Sequence, residues 1–484
     1  MQGIKGYQEK LFINFQLSER VPQDNFYRRL KEALDFSYLR NMTKDYYGSE
    51  GQKSIDTVVF FKLMLIGYLE NINSDRKIIE QAGMRMDMLY FLDYDVDEPL
   101  PWHSTLSRTR KLFGEEVFLE LFRNILMRCV KEGMVNGSSQ SIDSAFIKAN
   151  ASKDSLVEKQ LQEESKKYYD TIRENEEDKD EKQKKEKRTS SQRHSDRFES
   201  MTDPDARISQ KPGKVSALNH LGIISVDTGS HIICGATVDF ADKKDSETTE
   251  KIVGQAIENL QEVNIKIKEV LADTNYSSGK SYSYLQSQNI TAYIPVNGKY
   301  KTEREGFTYN KEEDYYVCTQ GVKLFFKGIN KEKGENNFSK RYRNVTVDCR
   351  SCSLKRECCK NRSYKELKHS IDKEYYDFAN KMINTRKGKK MMRLRAATVE
   401  PVWGTLLHFR AMRKVYTIGN QLANKQLLMA ATAYNLKKLM SFIGIKHQLS
   451  ALKRVAIILK SNFINEFGMY FKFILLNFGY KQLT

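Results

Sequence analysis

Ser141-Ile-Asp-Ser-Ala-Phe-Ile-Lys148 is where the apolar period of this chain changes. Up to about residue 135 apolar residues recur at helical spacing. From Ser139 they alternate with polar ones and Ile and Phe become frequent, which predicts a strand with an acid, Asp143, inside it. Strand patterns return at Leu221–Asp227 and His231–Val238, and Thr228-Gly-Ser230 between them is a tight-turn signature, so these two form a hairpin. Ser246 to Leu260 has helical periodicity, carried by Ile252, Ala256, Ile257 and Leu260. Ile267 to Leu271 is a short apolar strand just before Asp273. A helix over Ser278–Gln286 and a strand at Ile290–Pro295 follow. This order predicts an α+β or α/β fold, a mixed sheet with helices packed on it.

Outward from the sheet, residues 1–135 read as an all-α domain. Ser54 is expected to cap a helix running through the apolar stretch Val58–Leu69, Ser74 to start another, and His103 a third, with Pro99 and Pro101 breaking the chain before it. Short helices with Arg and Lys on one side fit a helix-turn-helix layout that docks DNA, and equally an ordinary bundle with polar faces. Residues 136–297 hold the first part of the sheet and include a charged insertion at 152–200. Glu174-Asn-Glu-Glu-Asp-Lys-Asp-Glu-Lys-Gln-Lys-Lys185 within it reads as solvated helix or disorder. A Gly-, Lys-, Tyr- and Cys-rich insertion spans 298–370. Helices are expected again over 371–445, and 446–484 is a helical tail.

With 484 residues the chain has room for two or three domains, and at 40% hydrophobic residues it can bury a large core. Lys and Arg number 80 against 62 Asp and Glu, a formal charge of +18. That excess points to a polyanionic partner, nucleic acid first. The start of the chain shows no apolar signal core. The most apolar stretch, Phe463–Tyr480, is interrupted by Asn465, Glu466, Lys472 and Asn477, so it reads as a buried helix rather than a membrane span. A cytoplasmic location follows as the expectation. The seven cysteines are then thiols or metal ligands rather than a disulfide framework.

Asp143, Asp273 in Val270-Leu-Ala-Asp-Thr-Asn-Tyr276, and Glu400 in Ala397-Thr-Val-Glu-Pro-Val-Trp-Gly404 are the candidate catalytic acids. If the two strands lie side by side and a late helix covers them, three carboxylates converge. Oxygen donors with water suit Mg2+ or Mn2+, and two such ions roughly 3.5–4 Å apart would serve phosphodiester chemistry. Each acid alone also fits a cap or turn residue, and Pro401 biases Glu400 away from ordinary mid-helix geometry. Arg386, Lys387, Lys389, Lys390, Arg393 and Arg395 precede Glu400 with few acids nearby, and Arg410, Arg413 and Lys414 follow; together they form a candidate DNA phosphate track. Trp403 fits either stacking on an extruded base or anchoring the helix in the core. Cys349-Arg-Ser-Cys352, with Cys318 and Cys358, could supply four thiolates to a structural Zn2+, Cys359 being an alternative for the last. Cys129 and Cys234 lie in apolar surroundings and read as core.

At these residues the chain resembles bacterial insertion-sequence transposases of the DDE type. The resemblance runs through the helical N-terminal region, Asp143-Ser-Ala-Phe-Ile-Lys-Ala-Asn-Ala-Ser152, Thr202-Asp-Pro-Asp-Ala-Arg207, Leu271-Ala-Asp-Thr-Asn-Tyr276 and Thr398-Val-Glu-Pro-Val-Trp-Gly-Thr-Leu406. It implies an RNase H-like core in which Asp143, Asp273 and Glu400 coordinate two Mg2+ ions. It also implies cleavage at the element ends by activated water, attack of the freed 3′-hydroxyl on target DNA, and a homo-oligomer that joins two ends. Many relatives carry a similar cysteine cluster before the Glu helix, which favours zinc. The chain departs from the family where a Lys is common about seven residues after the Glu: Leu407 and His408 stand there. The family's Tyr and Arg ahead of the Glu are also off their usual spacing, with Arg393 and Arg395 nearest. Alternatives are an inactive or recruited DNA-binding copy and a hydrolytic nuclease on the same core.

Overall fold

The structure is a computed structural model that describes residues 5 and 16–446, except 49, 52, 159–196, 211–214, 299, 332–337, 351 and 361. Most of the charged insertion and nearly all of the expected C-terminal tail therefore lie outside the described residues.

Among the described residues eight α-helices come first: Leu17–Arg20 (α1), Phe26–Ala33 (α2), Tyr38–Thr43 (α3), Thr57–Leu69 (α4), Asp75–Gly83 (α5), Met86–Leu92 (α6), His103–Leu112 (α7) and Glu115–Lys131 (α8). α4 is apolar on nearly every side and buried along its length, as befits a helix at the centre of a bundle, and its one charged residue, Lys62, is paired with Asp93 at 2.6 Å. Its cap is Asp56, which accepts from Val58 N, and not the expected Ser54; the carboxylate two residues later reaches the free N–H groups of the first turn. Ser74 caps α5 as expected.

The central sheet has six strands: Ser139–Lys148 (β1), Arg207–Ser209 (β4), Ala217–Asp227 (β5), Ile233–Phe240 (β6), Glu269–Leu271 (β7) and Thr291–Tyr293 (β8). Leu156–Glu158 (β2) and Phe198–Ser200 (β3) pair separately, as a short ribbon at the base of the charged insertion. The sheet runs β4-β5-β1-β7-β8, and β6 pairs with β5 beyond β4. β5 and β6 are the expected hairpin, antiparallel to each other and, through β5, to β1, whereas β7 and β8 run parallel to β1. Asp227 closes the hairpin turn by accepting from Gly137 N and from Ser230 N and Oγ. Helices Thr249–Gln261 (α9) and Gly279–Ser287 (α10) supply the crossovers into β7 and β8.

The Cys-rich stretch, for which the sequence suggested no elements, is a second sheet. Phe307–Asn310 (β9), Tyr315–Cys318 (β10), Lys323–Lys331 (β11), Phe338–Arg343 (β12) and Glu366–Ser370 (β13) are antiparallel in chain order. Its core is small and aromatic: Tyr316, Leu324 and Tyr342 with Phe307, Tyr309 and Leu367 against them. His369 joins the hydroxyls of Tyr316 at 2.8 Å and Tyr342 at 3.3 Å. Burial and surrounding cations hold its imidazole down to about 4, so it serves as a neutral hydrogen-bonding group. A short helix, Lys355–Cys359 (α11), lies between β12 and β13.

Lys373–Asn384 (α12) and Arg386–Phe409 (α13) return the chain to the central sheet, and residues 420–446 form the last described helix (α14). One continuous buried apolar cluster runs from Tyr27 and Leu30 of α2 through Ile142, Ile223 and Ile252 to Val399 and Met440. The N-terminal helices, the sheet and the final helices thus share one core.

Candidate active site

β1 and β7 are neighbours in parallel register, with Ser141 opposite Leu271. Carried two residues further, that register sets Asp143 level with Asp273, just past the end of β7. Side chains alternate faces along a strand, so Asp143 shares a face with Ala145 and Ile147. On that face Ile147 and Gly222 meet Trp403 of α13: a Cβ built on Gly222 would lie 2.6 Å from Ile147 Cδ1 and 2.9 Å from Trp403 Cη2. Asp143 therefore faces the helix that carries Glu400.

That helix continues straight through Glu400-Pro401, which sits in the middle of α13 rather than at its start. Proline there costs the hydrogen bond to the Ala397 carbonyl. Trp403 is 4% exposed, so its packing role is the one realised and it offers no face to a base. Glu400 is exposed, and Arg395 Nη2 donates to its Oε1 at 3.2 Å. The Arg395 side chain is largely buried, and its Nε has no partner among the described residues.

The electrostatics tie the acids together. Burial pushes the Asp143 carboxyl up to about 7; the charges of Asp273 and Asp245 push the same way, and a hydrogen bond from Ser144 N–H and the charge of Arg395 oppose them. Asp273 accepts from Asn275 N at 3.0 Å and Nδ2 at 3.1 Å, which fixes its rotamer at the head of the Thr274–Tyr276 turn. Among the described residues no group of three or more His, Cys, Asp or Glu is arranged to hold a metal ion as it stands. Arg395 supplies the positive charge beside Asp143 and Glu400.

The cations divide. Arg386, Lys387, Lys389, Lys390 and Arg393 are exposed along the first half of α13, and Lys387 pairs with Glu269. Arg413 and Lys414 are exposed beside the far end of β1, where Lys414 bridges Lys148. Arg395 turns inward to Glu400. Arg410 is a correction to the expected track: it is buried and donates to the carbonyls of Leu69 and Phe409, so it presents nothing to a ligand.

The five clustered cysteines, Cys318, Cys349, Cys352, Cys358 and Cys359, line one cavity of about 470 Å³ beside the second sheet. Asn344 Nδ2 donates to Cys349 Sγ at 3.2 Å. Burial pushes the thiols of Cys349, Cys358 and Cys359 up. Cys129 and Cys234 are fully buried in the core, as expected.

Sequence reasoning missed two groups here. Asp245 donates no charge pattern of its own, yet it accepts from Ser144 Oγ at 2.6 Å next to Asp143. Asp203, in the Thr202–Arg207 segment, is fully buried with His220, whose Nε2 lies 3.0 Å from Asp203 Oδ2 and whose Nδ1 lies 2.6 Å from Asn420 Oδ1. Burial alone would raise the Asp203 carboxyl; His220 and the N–H groups of Gly419 and Asp205 outweigh it and hold it below the usual range. This pair ties the edge of the central sheet to the start of α14.

Residues 15–112 match a transposase domain family, DUF772, and residues 317–440 match the transposase DDE domain family. The second match contains Glu400 and the five clustered cysteines and stops short of Asp143 and Asp273. No curated protein matches the chain. Among solved structures, a piggyBac transposase synaptic complex with hairpin DNA, determined by cryo-EM, is similar at 11% identity and a TM-score of 0.31, over 85% of this chain and 72% of that one. Two transposase domains on one chain, at its two ends, define the class of protein as a transposase. Within that class the second match is to a transposase DDE domain, so the chain resembles DNA transposases of the DDE type. No helix among the described residues is long and apolar enough to cross a membrane.

Proposed function

We propose that Asp143, Asp273 and Glu400 are the catalytic carboxylates of this transposase, on an RNase H-like core formed by the central sheet with α9, α10, α12 and α13. The observation that carries the reading is the parallel β1–β7 register, which sets Asp143 and Asp273 level, beneath the helix bearing Glu400. The donor set suits Mg2+ or Mn2+: three carboxylates, two of them adjacent and mutually repelling, with Arg395 as a counter-charge beside them. When bound, two such ions supply Lewis-acid activation of the attacking oxygen and stabilisation of the leaving one.

The residues have separable tasks. Asp143 would hold a metal ion as its ionised carboxylate. Arg395 releases Glu400, and its freed guanidinium then lies beside the scissile phosphate. Exposed Arg386, Lys389, Lys390 and Arg393 lead toward the acids along about 20 Å of helix, since each residue rises about 1.5 Å. With Arg413 and Lys414 beyond, they would hold DNA phosphates on both sides of the site. In the first reaction water forms a new P–O bond and the 3′ oxygen leaves at the element end. In the second that 3′-hydroxyl forms a P–O bond to a target phosphodiester, and the target's own 3′ oxygen leaves with the proton. Joining two ends calls for an oligomer.

Cleavage of DNA carrying the element ends tests this, with Asp143→Ala, Asp273→Ala and Glu400→Ala. Each variant should bind DNA and lose Mg2+-dependent cutting. Wild-type protein that binds but never cuts, with Mg2+ or Mn2+, would instead establish a DNA-binding copy; Leu407, in place of the usual Lys, is where that reading starts. Strand joining in the same assay separates transposition from plain hydrolysis.

For the second sheet we propose a structural Zn2+ held by Cys318, Cys349, Cys352 and Cys358, with Cys359 able to replace the last. The shared cavity supports it. So does the small core of that sheet, which is of a size that commonly needs a metal or another staple. Metal analysis finding no zinc, with every thiol titratable, would remove it.

A further inference from the structure

β7 ends at Leu271, so no ladder hydrogen bond holds Asp143 and Asp273 at their common level. What holds them comes from the other side of β1. Asp245 opens a turn, Asp245–Glu247, that leads into α9. Its Oδ1 accepts from Ser144 Oγ at 2.6 Å, on the residue next to Asp143. The same turn packs on Thr274–Tyr276, the turn that Asp273 heads. Ser281 at the start of α10 completes the connection: its hydroxyl donates to Ser246 O at 3.1 Å, lies 3.0 Å from Thr249 Oγ1, and lies 2.8 Å from that of the α10 cap Ser278. One side of the 245–249 segment is thus bonded to the strand of Asp143, and the other to the segment that follows Asp273. Tyr276, fully buried, fills the space beneath.

We propose that Asp245 is a positioning residue of the transposase site, which fixes the spacing of Asp143 and Asp273 for metal by clamping Ser144 against the turn behind Asp273. This rests on the reading of those two aspartates as metal ligands. Ligands held by an outer layer of hydrogen bonds bind metal more tightly than loose ones, and losing one such bond typically costs about 10–100-fold in affinity. Asp245 acts through its acceptor oxygen, and Ser144 through its hydroxyl. The two therefore form one unit, and substitutions in them are not additive.

The test is Mn2+ binding to the full chain without DNA, followed by electron paramagnetic resonance. Asp245→Ala and Ser144→Ala should each weaken Mn2+ binding about ten-fold, and the double variant no further. Asp245→Asn keeps an oxygen for Ser144 and should restore affinity to within about two-fold of wild type, a rescue that a direct charge effect would not give. Asp245→Ala protein that folds and binds Mn2+ like wild type would overturn the inference, as would Asp245→Asn binding as weakly as Asp245→Ala. Should Asp245→Ala fail to fold, Ser144→Ala decides alone, and unchanged affinity overturns the clamp. Asp143→Ala is the control: if it leaves Mn2+ binding intact, the metal-ligand reading fails and the clamp with it. If it abolishes binding while Asp245→Ala and Ser144→Ala do not, only the clamp fails.

Discussion

At the scale of single residues, Asp143 is held in a costly state. Its carboxyl sits at about 7 in the folded chain, chiefly through burial, against roughly 4 for an ordinary aspartate. Between those values the native state keeps a proton that the unfolded state has lost. Stability therefore falls as pH rises from about 4 to about 7, and the full penalty applies above that range. Asp143→Asn abolishes this titration. In EDTA the variant should melt a few degrees above wild type at pH 8 and close to it at pH 4. Thermal melts at the two pH values check this, and an equal offset at both would contradict it. Asp143 could be singled out in the sequence because an acid inside an alternating apolar strand is conspicuous. The directions taken by Arg395 and Arg410 could not: sequence shows that a side chain is charged, whereas inward turning depends on an acceptor, here Glu400 or the Leu69 carbonyl, placed by tertiary structure.

At the scale of elements, the seat of α13 on the sheet decides where Glu400 stands, and that seat is cut to fit. Gly222 in β5 leaves the space that Trp403 and Ile147 fill. Gly222→Ala would put a methyl against a ring that cannot flex and an isoleucine terminus that can. Overpacking of this kind costs about 1–3 kcal/mol. The variant should unfold at lower urea and cleave element-end DNA more slowly with DNA affinity unchanged, because a helix lifted at Trp403 shifts Glu400 one turn away. Unchanged urea midpoint and rate would show that Ile147 alone absorbs the methyl. β1, β5, β6, β7 and β8 and the helices between them could be read from the sequence because their faces are all apolar or alternate, whereas the three-residue β4 is too short to show a period. The second sheet hid for the opposite reason: β11 is mostly exposed, and much of what packs inside is tyrosine, with few aliphatic residues to mark a hydrophobic period. Ser54 was mistaken for a cap because Ser and Asp both suit that position, and only the backbone shows which one precedes the first turn.

At the scale of the whole molecule, α14 joins what composition divides. Sequence suggests a boundary near residue 135, where period and polarity change, but α14 bonds to both sides of it. Lys425 Nζ donates to the carbonyls of Arg110 at 3.2 Å and Phe113 at 2.6 Å, and Arg29 Nη2 donates to Met440 O at 3.0 Å. On the sheet side Asn424 accepts from Val238 N at 2.8 Å, and Asn435 accepts from Ile233 N at 2.9 Å and donates to Ile233 O at 2.8 Å. These asparagines satisfy the outer edge of β6, which would otherwise expose unpaired backbone groups inside the core. Asn435→Ala leaves a buried N–H and a buried carbonyl of Ile233 without that partner, at a cost of about 1–3 kcal/mol for each group so stranded. Because N-terminal helices and sheet share one apolar cluster, the loss should spread rather than stay at β6. Hydrogen exchange under mild urea reads this directly. Peptides from α4 and from β1 should lose protection together in Asn435→Ala, whereas exposed Lys437→Ala, on the same helix, should leave both unchanged. Faster exchange confined to β6 would mean that the N-terminal bundle is stable by itself, and that the change near residue 135 is a true domain boundary.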